Sequence, residues 1–345
     1  MKALLYPRWD SLQIAEVPTP IPASGEVLVQ VHNCGICGSE LDSFRVRSPR
    51  RAPPLVMGHE FCGVVAQRGS NAKKWKDGDR VISHALVHCG KCPPCQSGFT
   101  NLCSSRQVFG MHRPGAFGEF ISVPEQVLFE WPAALTAGEA TMAEPLANGV
   151  NAIQLDPSVS KEQVIVLGAG PIGLMCLVAA RSIAKSSVIV SDLIDDRLQV
   201  ARRLGAAAAF NPKQANILDI VKATWGSAMA DYVIDAVGSA TTKRASLELV
   251  RPGGAVVWVG LHDDSIELSS YAVTLQQKRI LGTYSGSYND VSKAISILTD
   301  KTADVTSWVK SFTLDQGVQA FQAMLRAEGD DIKAILKMPI GQTIL

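Results

Sequence analysis

The most membrane-like stretch of the chain, residues 164–180, is about three residues short of the roughly 20 a spanning helix needs, and Gly168, Gly170, Pro171 and Gly173 interrupt it. Its residues Val164-Ile165-Val166-Leu167-Gly168-Ala169-Gly170-Pro171-Ile172-Gly173 read instead as a buried strand that enters a G-x-G-x-x-G turn and opens a helix at Pro171. Glycines there let the backbone turn tightly and approach a pyrophosphate, whose charge is favoured at a helix N-terminus. The motif alone is weak. The following strand, 187–191, ends in Asp192, 19 residues after Gly173, where a carboxylate can accept hydrogen bonds from adenosine ribose hydroxyls. Together Gly168, Gly170, Pro171, Ile172, Gly173 and Asp192 predict a dinucleotide site. A carboxylate repels a 2′-phosphate, so the expectation is NAD rather than NADP, with Arg197 the residue that could soften it.

The same alternation runs through the second half of the chain. Helix-period segments at 171–185, 196–204 and 241–249 separate apolar strands at 163–167, 187–191, 231–236 and 255–259, with Gly205 as a helix stop and Pro252-Gly253-Gly254 as a turn. The short run 206–209 fits one more strand, and a helix returns near Val291. Such alternation implies a parallel α/β sheet. Upstream, 27–62 and 81–123 show short β-rich runs between Gly, Pro and Asp-Gly turn signals. A length of 345 residues accommodates two domains with separate cores.

With 33 Lys and Arg against 32 Asp and Glu, nothing in the net charge favours nucleic acid or an anionic membrane as partner. Residues 1–7 are stopped by Pro7 before they could form a secretory core, so the expected compartment is the cytoplasm. Eight cysteines in a reducing compartment point to metal or catalysis rather than disulfides.

Their spacing divides them. Cys89, Cys92, Cys95 and Cys103, spaced C-x2-C-x2-C-x7-C among glycines and prolines, can close a tetrahedral shell around a structural zinc. Outside that lobe stand Cys37, the pair His59-Glu60, and Glu144 before Pro145. A catalytic zinc wants about three protein ligands and one exchangeable position, which Cys37, His59 and one carboxylate would supply; by composition Cys34 is also available. Cys62 and Cys176 read as small buried hydrophobes, and His32, His84, His88, His112 and His262 as structural.

These ordered motifs resemble the zinc-dependent medium-chain dehydrogenases over essentially the whole chain, in particular the polyol (sorbitol) dehydrogenase branch, whose Glu-Pro-Leu string matches Glu144-Pro145-Leu146 where alcohol-dehydrogenase relatives place Cys. The resemblance implies Cys37 and His59 as ligands of a catalytic zinc, Glu60 as ligand or exchangeable neighbour, and Glu144 as direct or water-mediated ligand, with Cys34 left out. It makes Ser39 the hydroxyl that relays the alcohol proton, and puts Glu40 where the family usually has an Asp that orients the zinc-binding imidazole. Val237, Val259 and Gly260 match strand ends lining the nicotinamide side of the cleft.

The implied fold is a β-rich GroES-like catalytic domain at 1–150, rejoined by 287–345, and a Rossmann doubly wound parallel sheet at 151–286. Zinc and nicotinamide would meet between them, in a homodimer or homotetramer. The implied reaction is oxidation of a secondary alcohol of a polyol or sugar derivative by NAD. Arg45, Arg47, Arg50 and Arg51 crowd the segment that in relatives borders the substrate, and Arg113 adds a charge. Arg suits bidentate recognition of phosphate or carboxylate, so the cluster reads either as a solvated basic loop, the prior expectation for such a run, or as a site for a phosphorylated polyol or a sugar acid. The competing expectations are threonine-dehydrogenase-like oxidation of an amino alcohol and an NAD-binding protein without turnover.

Overall fold

A computed structural model describes residues 1–226, 229–327, 329 and 331–339. The chain divides into two compact units, one of Met1–Glu144, Ser287–Asp300 and Val305–Leu345, the other of Pro145–Gly286 and Lys301–Asp304.

The first unit is built around the strand Glu26–Gly35, whose alternating Val27, Val29 and Val31 are fully buried. It pairs antiparallel with Glu60–Arg68, Phe120–Pro124 and Lys333–Lys337 in a sheet of seven strands. Phe61, Phe109, Phe117, Ile121 and Phe321 complete the core against it. The register sets Gly35 opposite Glu60 on one neighbour and Ile335 on the other. That places the two charged ends, Glu60 and Lys333, beside a residue with no side chain; a Cβ on Gly35 would run into both.

Between the strands ending at Gly35 and starting at Glu60 the sequence reads as β-rich, yet the chain forms the helix Gly38–Arg45. The cause is local: the Glu40 carboxylate turns back to accept the Cys37 N–H at 3.0 Å and caps the helix start.

The second unit carries six parallel strands in the order Ala208–Phe210, Ser187–Ser191, Gln163–Leu167, Ala230–Asp235, Val250–Trp258, Arg279–Gly282. The first three run backwards and the last three forwards in sequence, which is the doubly wound order with its switch point after Leu167. One detail departs from the sequence reading. Pro252-Gly253-Gly254 does not separate two elements but lies within the strand Val250–Trp258, whose register shifts against Ala230 and Tyr232. Arg251 explains the shift, since its Nε donates to Asp231 at 2.7 Å and Gly253 takes φ +71°. Among the described residues no helix is long and apolar enough to cross a membrane.

Candidate metal centres and cofactor site

Cys89, Cys92, Cys95 and Cys103 bring their sulfurs within 4.8 Å of one another. The Cys92 and Cys103 sulfurs are 3.8 Å apart, which is the edge of a tetrahedron whose centre lies about 2.3 Å from each corner, the usual Zn–S length. Backbone N–H groups of Lys91 and Cys92 pull the Cys89 thiol down to about 6. The donor set therefore fits a zinc ion held without an open position. Burial, reinforced by the neighbouring Cys92 and Cys103 sulfurs, pushes Cys95 of the same lobe up to about 12, and burial does the same to the Cys62 and Cys176 thiols, which lie outside both donor clusters.

The second group is Cys37, His59 and Glu60, whose ligand atoms also lie within 4.8 Å of one another. Cys37 caps the helix Gly38–Arg45, while His59 and Glu60 stand where the strand Glu60–Arg68 begins. Glu144, 6 % exposed in the first turn of the helix Ala143–Gln154, lies outside this close trio. A half-buried thiol, a buried imidazole and a buried carboxylate form a three-donor set that suits zinc.

Glu40 ties the group together in a way its extra methylene obscures in the sequence. One oxygen accepts from His59 Nδ1 at 3.0 Å and from the Gly58 N–H at 2.8 Å, and the other from the Cys37 N–H. The longer arm thus fixes both the Cys37 backbone and the His59 ring, leaving Nε2 as the ligand atom. Burial alone would push the Glu40 carboxyl up, but His59 and Arg51 outweigh it and hold it below its usual range. Burial likewise opposes protonation of His59, yet Glu40 and Cys37 raise its pKa well above the ordinary value.

Lys333 belongs to no motif in the sequence. It is 1 % exposed, pairs with Glu60 and donates to the Ile36 carbonyl at 2.9 Å. It comes from a strand 273 residues downstream of Glu60, and in sequence it is one lysine ahead of an apolar run. Only the pairing of Lys333–Lys337 beside Glu26–Gly35 turns it inward.

The arginines separate. Arg47 pairs with Asp10, and Arg113 pairs with Glu26 at 2.6 Å, both partners 18 % exposed, while its guanidinium packs over Phe109. Arg45 is exposed and reaches Asp42 at 3.4 Å and the Leu325 carbonyl at 3.3 Å; Arg50 is exposed. Arg51 is buried, at 3 % exposure, and donates to Ser39. The Ser39 hydroxyl lies 3.4 Å from Cys37 Sγ.

In the second unit the three glycines do three different things. A Cβ on Gly168, at φ +96°, would strike Val237, and one on Gly173 would overlap the Gly168 carbonyl, so both permit close packing. A Cβ on Gly170, the N-cap of the helix Pro171–Ala179, meets nothing within 4 Å. Open space at a helix start flanked by Pro171 and Ile172 fits a pyrophosphate. Asp192 is braced there: its oxygens accept from the Ala169 N–H at 2.6 Å and the Ile194 N–H at 2.9 Å, each retaining a lone pair for a ribose hydroxyl. Arg197 is half-buried on the next helix, its Nε without a partner among the described residues. Val237, Val259 and Gly260 lie past the C-terminal ends of their strands, where Gly238 and Gly260 bring the two loops into backbone contact.

Comparison with known proteins decides the family. The alcohol dehydrogenase GroES-like domain matches residues 23–133 and the zinc-binding dehydrogenase domain residues 171–300. The chain belongs to the zinc-type medium-chain dehydrogenases, polyol branch. It is 30 % identical over 337 residues to the D-arabitol-phosphate dehydrogenase of Enterococcus avium, covering 96 % of this chain and 95 % of that one. It is 31 % identical over 315 residues to the L-threonine 3-dehydrogenase of Saccharopolyspora erythraea, covering 90 % and 92 %. Among solved structures, the alcohol dehydrogenase rspB of E. coli CFT073 in complex with NADH superposes with a TM-score of 0.90 at 29 % identity, over 98 % and 99 % of the two chains. The chain is thus an alcohol oxidoreductase with a GroES-like domain and a Rossmann sheet.

Proposed function

We propose that this dehydrogenase oxidises a secondary alcohol of a polyol, sugar or sugar derivative with NAD, using Cys37, His59, Glu60 and Glu144 around a catalytic zinc and Cys89, Cys92, Cys95 and Cys103 around a structural one. The observation that carries it is the convergence of Cys37, His59 and Glu60 within 4.8 Å, with the Ser39 hydroxyl 3.4 Å from Cys37 Sγ. A zinc ion held by that trio would supply Lewis acidity toward a substrate hydroxyl, and bound NAD would supply the hydride acceptor. The chain's own residues do the rest. Glu40 fixes His59, Lys333 holds the Glu60 carboxylate, and the exposed Ser39 Oγ takes the substrate's proton outward. Asp192 selects NAD over NADP by repelling a 2′-phosphate.

Arg45, Arg47 and Arg50 are the exposed arginines of the segment, Arg45 and Arg47 pairing only with the exposed Asp42 and Asp10, and similarity to a D-arabitol-phosphate dehydrogenase favours a phosphorylated or acidic polyol. Similarity to L-threonine 3-dehydrogenase supports the second reading, an amino-alcohol substrate. A panel of neutral polyols, polyol phosphates, sugar acids and L-threonine, with NAD reduction followed by absorbance, decides between them. Turnover fastest on polyol phosphates or sugar acids supports the first, fastest on L-threonine the second, and none on any alcohol refutes both. We place the enzyme in the cytoplasm as a homodimer or homotetramer, the exposed edge strand Arg279–Gly282 with Tyr271 and Leu275 nearby being the surface that supports self-association.

A further inference from the structure

The arginine-rich segment contains one member that cannot meet a substrate. Arg51 is 3 % exposed, and among the described residues no carboxylate pairs with it. Its charge is felt by the buried Glu40 carboxylate, which it helps hold below its usual range, but burying a cation with no carboxylate in direct contact is still costly. All three of its nitrogens are nevertheless placed: Nε donates to the Gly110 carbonyl at 3.1 Å, Nη1 to the Ser39 carbonyl at 2.8 Å and to Ser43 Oγ at 2.9 Å, and Nη2 to Ser39 Oγ at 3.2 Å. Ser43 adds a second grip by donating to the same Ser39 carbonyl at 2.7 Å.

The consequence is one of direction. A guanidinium has donors and no acceptor, so Ser39 Oγ must accept from Arg51. The hydroxyl's own hydrogen then has to point elsewhere, and its acceptor is Cys37 Sγ at 3.4 Å. One lone pair remains. A serine hydroxyl on a helix's first turn would ordinarily rotate freely, whereas here its backbone carbonyl and its oxygen are both clamped from a residue 12 positions away.

We infer that Arg51 is a positioning residue that acts through Ser39, fixing the hydroxyl oxygen so that its free lone pair is kept for the substrate's proton, and as that proton arrives the hydroxyl's own hydrogen turns from Cys37 Sγ and passes to solvent water. This rests on the relay role given to Ser39 above. It also separates Arg51 from the neighbouring arginines, whose charges face solvent or Asp10.

The test is a double-substitution cycle on the zinc-loaded enzyme, with kcat, KM for both substrates and zinc per chain measured for Ser39→Ala, Arg51→Lys, Ser43→Ala and the two doubles that include Ser39→Ala. Lysine keeps the charge but not the fork. Arg51→Lys is expected to lower kcat by about tenfold with KM for NAD and zinc content unchanged. In the Ser39→Ala background the same change should alter kcat by less than about twofold, because the group it positions is gone. Ser43→Ala, which loosens the clamp while leaving Arg51 in place, should give a smaller loss that also vanishes in that background. Losses that multiply independently of Ser39, or an Arg51→Lys enzyme with full kcat, overturn the inference while leaving the Ser39 relay standing. A Ser39→Ala enzyme with unchanged kcat removes the relay itself, and the inference with it. Should Arg51→Lys fail to fold, the Ser43→Ala cycle decides by the same criterion.

Discussion

Replacing Glu40 with Gln removes a charge and turns one of two acceptor oxygens into a donor without changing shape. The wild-type carboxylate receives three N–H groups, from Cys37 at 3.0 Å, Gly58 at 2.8 Å and His59 at 3.0 Å, in a fully buried site. In the better orientation the amide oxygen keeps Gly58 and His59, and the NH2 group faces the Cys37 N–H. That leaves a buried donor unsatisfied, at about 1–3 kcal/mol, and reduces the His59 contact from a charge-assisted to a neutral hydrogen bond, roughly half as strong. Because both changes fall on the backbone and ring that present metal ligands, the loss should appear in zinc affinity. A drop of about 10–100-fold is the size expected when an outer carboxylate behind a metal-binding His is lost. Competition against a graded chelator, read as zinc per chain, should show the second zinc leaving Glu40→Gln at 10–100-fold lower chelator than wild type, while the zinc of the four-cysteine lobe stays. Identical chelator curves would refute the role given to Glu40.

Other substitutions probe the remaining parts. Cys103→Ala opens the tetrahedral lobe, whose zinc binding is coupled to folding, so Tm should fall by at least about 5 °C; zinc-loaded protein with unchanged Tm argues against the lobe. Burial pushes the Glu26 carboxyl up, but the Ser122 hydroxyl and Arg113 outweigh it and hold it below its usual range. Stability from that pair is therefore present above the unfolded carboxyl value of about 4.3 and lost as pH falls through the lowered folded value. Arg113→Gln should cost about 1–2 kcal/mol at pH 7, with the gap to wild type closing on acidification and KM for the alcohol unchanged; a raised KM with unaltered stability would return Arg113 to the substrate. Asp192→Ala should lower kcat/KM for NAD and narrow the preference over NADP; an unchanged ratio removes the selecting role of that carboxylate.

How much of this the sequence reveals depends on how far apart the partners lie. The glycine turn and Asp192 are legible because a phosphate-binding turn and its ribose carboxylate sit within one βαβ unit, at fixed offsets set by strand and helix length. The four-cysteine lobe is legible for the same reason. Cys37 and His59 are singled out by their short motifs, but their assembly is not, since it needs the antiparallel pairing that aligns Gly35 with Glu60. Glu40 reads as a doubtful stand-in for a shorter residue, because whether an extra methylene overshoots or folds back depends on the helix cap it makes. Lys333 and Arg51 are the furthest from legibility. Each is a cation turned inward by long-range packing, and composition assigns such residues to the surface by default. The arginine run and Arg113 illustrate the cost, since five similar side chains divide into a part-buried partner of Glu26, a buried clamp, and three exposed charges, one of them paired with Asp10.

The central claim is that Cys37, His59 and the neighbouring carboxylates hold a zinc that turnover requires. Its most direct test measures metal content and alcohol-dependent NAD reduction together in Cys37→Ser. The account predicts that zinc falls from two per chain to one, that the four-cysteine lobe and Tm are preserved, and that NAD reduction is lost by at least about a thousandfold. A Cys37→Ser enzyme that still holds two zinc ions, or that reduces NAD at the wild-type rate with one, would contradict it.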